Sequence, residues 1–474
     1  MTTWIIVAPL LAAALTTAFP DVQARRYARI VLSTAAALLP IVLIGKIDDL
    51  SLIFTAIVSV LGLLATLFSV GTFSIEWGIG HAVWSRKSVY FLLVGAFWSA
   101  MLLVVLASNF AALWLGISAT TLATAFLVGF SGEAAALEAA WKYLVLCSLG
   151  IGFALLGIVV LAHVSIAMGL DPAHALSWVS IAGHPPSKAP PLARLATSLM
   201  LIGFATKAGL VPMHAWLPDA HSKAPAPVSA LLSGVLVSCA LYAMMRTLAV
   251  GSTLGAAPLL HNLLMWFGAI SAVLAGMAML TQRDLKRLLA YSTVEHAGIV
   301  ALALGFGGPL GLLAALIHAI AHAFSKSAAF FAAGMVQREH HTTELGKLRA
   351  LWKTGRSGRF LLATFTALAG MPPFGLFVSE LLLVLAGIAA HRLAPLMVGL
   401  VGVALAFAAL SRTAIEIQSG QAKLSGNRIA PPRSRLAFLT TSLALAAALG
   451  IAVVSWTPLA AVLQATASAI GGVR

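Results

Sequence analysis

The sequence predicts an all-α polytopic membrane protein with about 14 transmembrane helices in one bundle. Three observations carry this. Of the 474 residues, 61% are hydrophobic and only 9% charged, whereas soluble domains carry about 25% charged residues. The mean hydropathy is +1.00. Apolar runs of roughly 20 residues, the length that crosses the hydrocarbon, recur from end to end between short polar links.

The spans fall near 3–19, 28–45, 51–72, 88–107, 109–130, 142–164, 192–213, 225–247, 258–280, 291–307, 309–335, 357–391, 393–412 and 436–457. The first lacks a basic leader and is followed by Arg25 and Arg26, so it reads as an uncleaved helix whose C-terminal end lies inside. The seventh holds Lys207, and Pro212 removes a backbone donor and interrupts it. The tenth is approached through "TQRDLKRLLAYSTVEHAG", where Asp284, Lys286 and Arg287 read most simply as interfacial charges. The twelfth is one long element broken at Pro372–Pro373. Residues 1–87 hold the first three helices, and 436–457 the last. Two five-span units, 88–247 and 258–412, lie between. The breaks occupy similar places in the two units, the sequence pointer to inverted repeats around a midplane path.

Basic residues set the orientation. Loops after odd-numbered spans hold 21 of the 29 Lys and Arg, against 6 for the even-numbered loops and the tail. The positive-inside rule then puts both termini outside and places Arg283, Lys286 and Arg287 in the cytoplasm. This bias accounts for the net charge of +15. Nucleic-acid binding would need a basic soluble surface with a reading motif, and the chain has none.

Cys147 and Cys239 lie in apolar spans without C-x-x-C spacing and read as small core residues. No dinucleotide fingerprint, Walker loop, H-E-x-x-H or nucleophile elbow occurs, so the chain is expected to hold no cofactor and form no covalent intermediate.

The chemistry therefore rests on ionisable residues at membrane depth, which persist mainly beside a wet or polar path. Lys207 has apolar flanks on both sides. His318, His322 and Lys326 in "LIHAIAHAFSKSAAFF" are spaced i, i+4, i+8. That spacing puts them on one helix face over a climb of about 12 Å, a ladder of protonatable groups. An i, i+4 His pair also suits a metal, but no Cys or carboxylate is placed to complete a site. Glu380 follows the second break and reads either as a proton-exchanging acid or as a helix cap. Glu295 and His296, a turn into the tenth span, extend the polar line or lie idle in it. His214, Asp219 and His221 follow the first break and form a cytoplasmic mouth, unless the segment serves only to cap the next helix through Ser222.

"KAGLVPMHAWLPDAHSKAPAPVSALLSG", "DLKRLLAYSTVEHAG", "HAIAHAFSKSAAFFAAG" and "GMPPFGLFVSE" together resemble the antiporter-like membrane subunits shared by respiratory complex I, energy-converting hydrogenases and Mrp-type antiporters. The likeness runs over residues 90–415, and "LEAAWKYLVLCSLGIGFALLG" resembles the hydrogenase 4 component F branch, of formate hydrogenlyase type. The resemblance implies fourteen helices with two inverted five-helix repeats, and protons moved along a hydrated central axis by redox chemistry in neighbouring subunits. It matches Lys207 to the broken-helix lysine, Lys326 to the central lysine, His318 and His322 to the linking histidines, and Glu380 to the terminal acid.

One departure concerns "ALWLGISATTLATAF", where the family has a glutamate and this chain has Ser118. Lys207 thereby loses its usual counter-charge, for which Glu138 or an acid of a partner subunit is the substitute. Ser238 likewise stands where many relatives have lysine. The expected route enters near His214 and Lys207, passes His322, His318 and Lys326, and leaves by Glu380. Expected partners are homologous antiporter-like subunits, the lipid bilayer and a peripheral hydrogenase or dehydrogenase arm bearing iron–sulfur clusters. A redox-independent cation/proton antiporter or inorganic-carbon uptake module, and a non-conducting scaffold, are the alternatives.

Overall fold

The computed structural model describes residues 2–19, 22–76, 81–419 and 434–454. The end of the last expected span (455–457) and the basic residues Lys423, Arg428 and Arg433 lie outside them. The described residues form helices α1 (Thr2–Leu15), α2 (Val22–Leu38), α3 (Asp49–Glu76), α4 (His81–Val105), α5 (Phe110–Val128), α6 (Ala134–Ala167), α7 (Trp178–Ala182), α8 (Ala193–Ala208), α9 (Trp216–Lys223), α10 (Ala226–Leu231), α11 (Val237–Thr253), α12 (Ala257–Thr281), α13 (Leu285–Phe306), α14 (Gly308–His340), α15 (Leu351–Thr354), α16 (Arg356–Leu368), α17 (Gly375–Ala389), α18 (Leu393–Gln418) and α19 (Arg435–Val454). Among them, eleven elements are long and apolar enough to cross a membrane, while Thr2–Leu15 and Gly375–Ala389 are shorter apolar helices.

Both proline breaks are real interruptions. Helix α8 ends at Gly209, whose φ of +79° is open to glycine without steric cost. The chain turns through Pro212 before α9 begins. The broken helix would leave backbone groups unpaired in an apolar setting. Here the Trp216 indole donates to the Thr206 carbonyl (2.9 Å) and the Val211 amide to Ser271 Oγ (2.9 Å). The second break separates α16 from α17. A third irregularity went unforeseen: a π-helical turn, Leu232–Leu236, joins α10 to α11.

Close helix contacts depend on small residues, as expected where lipid offers no hydrophobic drive for association. A Cβ on Gly203 of α8 would lie 2.5 Å from the Gly150 carbonyl of α6. One on Gly268 of α12 would lie 2.5 Å from the Gly298 carbonyl of α13. Both expected core cysteines are free and buried. Helices α10, α11, α13 and α14 fill the centre, and the buried ionisable residues described next stand mainly on them and on α8, α9 and α17.

Candidate functional site

Lys207, in the last turn of α8, is buried. Its amine donates to Thr121 Oγ1 on α5 (2.8 Å) and to the Tyr143 hydroxyl on α6 (2.6 Å), and Tyr143 in turn meets Thr124 at 2.5 Å. These partners are all neutral. Ser118, one turn before Thr121, bonds back to the Trp114 carbonyl of its own helix (2.9 Å).

Glu138 does not supply the missing charge. It is exposed at the start of α6 and pairs with Lys142 at 2.6 Å, because a carboxylate on that helix face reaches i+4 more readily than the buried stripe. His214 also stays apart, half-buried in the turn after Pro212 and bonded to none of the other candidates among the described residues. Asp219 does reach a surface cluster, pairing with Lys142 (3.5 Å) and Arg287 (3.2 Å).

Lys286 departs from its expected interfacial place. It is buried in the first turn of α13, which Asp284 caps by accepting from the Arg287 amide (2.9 Å). Its amine donates to the Ala224 carbonyl at the end of α9 (2.6 Å). Lys286 also lines a polar cavity of about 420 Å³ with Ser222, Lys223, Asp284, Arg287 and Thr343. Three residues before Ala224, His221 is fully buried and stacks on Phe330 of α14 at 5.0 Å between ring centroids. Lys286 and Lys326 both lie within electrostatic reach of it.

Beyond His221 the buried polar and ionisable residues continue on α14, α13 and α17. Lys326 donates to the Leu289 carbonyl (3.0 Å). The rings of His322 and His296 lie 5.4 Å apart. His296 Nδ1 is 3.1 Å from His318 Nε2, and His318 Nδ1 is 2.9 Å from Ser379 Oγ. Glu380 follows Ser379 in α17, with its carboxylate lying over Gly370 rather than capping the helix. Glu295 is buried, with Oε2 3.4 Å from His296 Nδ1. Lys326 thus stands at one end of the stripe, beside Leu289, and His318 at the other, beside Ser379 and next in sequence to Glu380.

Among the described residues, neither ring nitrogen of His221 or of His322 has a hydrogen-bond partner. The same holds for His296 Nε2, Glu295 Oε2 and the hydroxyls of Ser292 and Ser325. Buried polar atoms are normally paired, so these donors and acceptors mark the row as polar in an otherwise apolar bundle.

Residues 107–406 match the family described as NADH:quinone oxidoreductase/Mrp antiporter, TM. The chain belongs to this family. It is 36% identical over 365 residues to the hydrogenase-4 component F homolog of Methylacidiphilum infernorum, covering 75% of each chain. It is 38% identical over 207 residues to hydrogenase-4 component B of Escherichia coli, covering 41% of this chain and 31% of that one. Two solved structures share the fold. A chain of the archaeal membrane-bound sulfane sulfur reductase superposes with a TM-score of 0.84 at 22% identity, covering 99% of this chain and 97% of that one. A chain of respiratory complex I from Thermus thermophilus gives 0.77 at 23%, covering 98% and 99%.

Within this antiporter-family chain, sequence reasoning found Lys207, His318, His322 and Lys326 as buried polar residues in apolar runs. It missed Tyr143, Thr121 and Ser379, whose types are ordinary in any helix. A signal for His221 existed, an imidazole followed by "SKAPAP", but nothing local places it inside rather than at a mouth.

Proposed function

We propose that the chain is the proton-translocating, antiporter-like subunit of a redox-driven multisubunit complex of the hydrogenase 4 type, set in the bacterial inner membrane with both termini outside. The architecture in this reading is about fourteen spans, with units 88–247 and 258–412 as inverted repeats flanked by 1–87 and 436–457. The identity to the hydrogenase-4 component F homolog, over three quarters of both chains, favours this parent over an NADH-oxidising one. Partners are homologous membrane subunits and a peripheral arm bearing iron–sulfur clusters, and the chain itself holds no cofactor.

Protons enter from the polar cavity floored by Lys286, pass His221, Lys326, His322, His296 and His318, and leave past Ser379 and Glu380. Lys207 with Thr121, Tyr143 and Thr124 forms the polar site of the first repeat. The observation that carries this reading is the run of buried contacts His296–His318–Ser379, at 3.1 and 2.9 Å across three helices, within the step a proton takes along a hydrogen-bonded chain. A redox-independent exchanger would use the same axis, and the subunits that co-purify with the chain separate the two.

The test is proton translocation by the purified complex in liposomes. Lys326→Ala is expected to abolish translocation while electron transfer continues in permeabilised vesicles. An unchanged ratio of protons to electrons would leave the chain a scaffold.

A further inference from the structure

The axis groups are lopsided in charge. His221, Lys286, His296, His318, His322 and Lys326 can each be only neutral or positive, and only Glu295 and Glu380 can be negative. A proton delivered to such a set creates a buried cation, which is strongly disfavoured without an anion beside it. Around Lys207 the described contacts provide none.

Glu295 meets that need in the second half. Its Oε2 lies 3.4 Å from His296 Nδ1, near enough for an ion pair though off hydrogen-bond alignment. The same nitrogen lies 3.1 Å from His318 Nε2. His296 Nδ1 thus faces a carboxylate on its own helix and an imidazole on α14. Its Nε2 is aligned with no partner.

We propose, building on the proton-path reading, that Glu295 is the counter-charge of a transient His296 imidazolium. The relay step moves protons only. His296 accepts one at Nε2 from the Lys326–His322 side and becomes a cation with both nitrogens protonated. It then releases the Nδ1 proton to His318 Nε2 and is left as the other neutral tautomer. His318 gives its Nδ1 proton to Ser379 Oγ as the hydroxyl proton moves on toward Glu380. Glu295 is the carboxylate that stabilises the cation at the midpoint. It is a positioning and electrostatic residue, not a stop on the route. The groups facing His296 are Lys326, His322 and His318 from α14, the Leu368 carbonyl from α16, and Glu295 on its own helix. Glu380 of α17 lies within reach of Glu295. This assigns the tenth span the acid that position 118 lacks.

The experiment compares Glu295→Gln, Glu295→Asp and Lys326→Ala in the intact complex in liposomes, reading protons translocated per electron pair across a pH series. Glu295→Gln is expected to lower translocation at neutral pH about tenfold, the effect of one pKa unit on the imidazolium population. The deficit should shrink as pH falls, because mass action refills the cation. Glu295→Asp should keep most of the flux. A Glu295→Gln loss that is uniform across pH, or no loss while Lys326→Ala is inactive, overturns the counter-charge role and leaves the path intact. Full translocation by both Glu295→Gln and Lys326→Ala overturns the path itself. If Glu295→Gln does not assemble, the pH profile of Glu295→Asp decides: a shifted profile supports the role and an unshifted one overturns it.

Discussion

The amine of Lys207 rests 2.6 Å from the hydroxyl of Tyr143, a phenol standing where an ion pair would be expected. A hydroxyl satisfies the donor without fixing its charge, so the amine can be neutral or protonated with little rearrangement. Tyr143→Phe removes one of its two acceptors and should lower stability by about 1–3 kcal/mol, the cost of an unsatisfied buried group. Thermal unfolding in detergent measures this. Ser118→Glu in the same background should recover part of the loss, since residue 118 lies one turn from Thr121. No recovery would show that position 118 does not face the amine.

His296 and His318 should behave as a unit. Each alanine variant is expected to slow translocation to a measurable residual rate, and the double variant should be no worse than the more severe single one. Groups in one hydrogen-bond network couple by about 0.5–3 kcal/mol rather than adding. Strictly additive losses in the liposome assay would separate the two rings into independent roles.

Gly370 leaves room for the Glu380 carboxylate. Its φ is +62°, and a Cβ there would lie 2.3 Å from Glu380 Oε2. Gly370→Ala should cost about 1–2 kcal/mol for the left-handed backbone and push the carboxylate aside. A lower melting temperature together with slower proton release is the expected pair of effects. A stability loss with normal release would mean that the carboxylate finds its place regardless.

Away from the axis, Asp48 and Ser51, at and near the start of α3, bind Arg246 of α11, whose guanidinium also stacks over Trp178 at 4.9 Å. Burial pushes the Asp48 carboxyl up, but the Arg246 charge and hydrogen bonds from Arg246 and Ser51 outweigh it and hold the group below its ordinary value. A depressed folded pKa stabilises the protein above the unfolded value, roughly 3.9, and that contribution fades as pH falls through the folded one. Asp48→Asn should therefore lower stability at neutral pH, seen as a lower melting temperature, by no more than about 1 kcal/mol of free energy because the pair is partly exposed. Parent and variant should converge in acid. A gap that persists in acid would assign the effect to packing instead.

How much of this was legible beforehand follows from what each feature depends on. Hydropathy marked the eleven described elements that are long and apolar enough to cross a membrane, because an apolar run carries its mark in every residue. Proline located both breaks because the missing donor acts on its own helix. Lys286 read as an interfacial charge because its neighbours are charged, and only the packing of α13 against α9 brought its amine to the Ala224 carbonyl. The π turn at Leu232–Leu236 had no proline or glycine cluster to announce it.

The sequence by itself determined the all-helical membrane class, and the spacing of His318, His322 and Lys326 put them on one stripe. Those properties follow from composition and from the helical period, which act within a single segment. Tertiary structure alone decided that Lys207 meets Tyr143, that His221 lies inside, that Glu138 faces out, and that His296 stands between Glu295 and His318. Each of these depends on the register and rotation of one helix against another. Packing of small residues across the interface sets that geometry, and no periodicity within one helix encodes it.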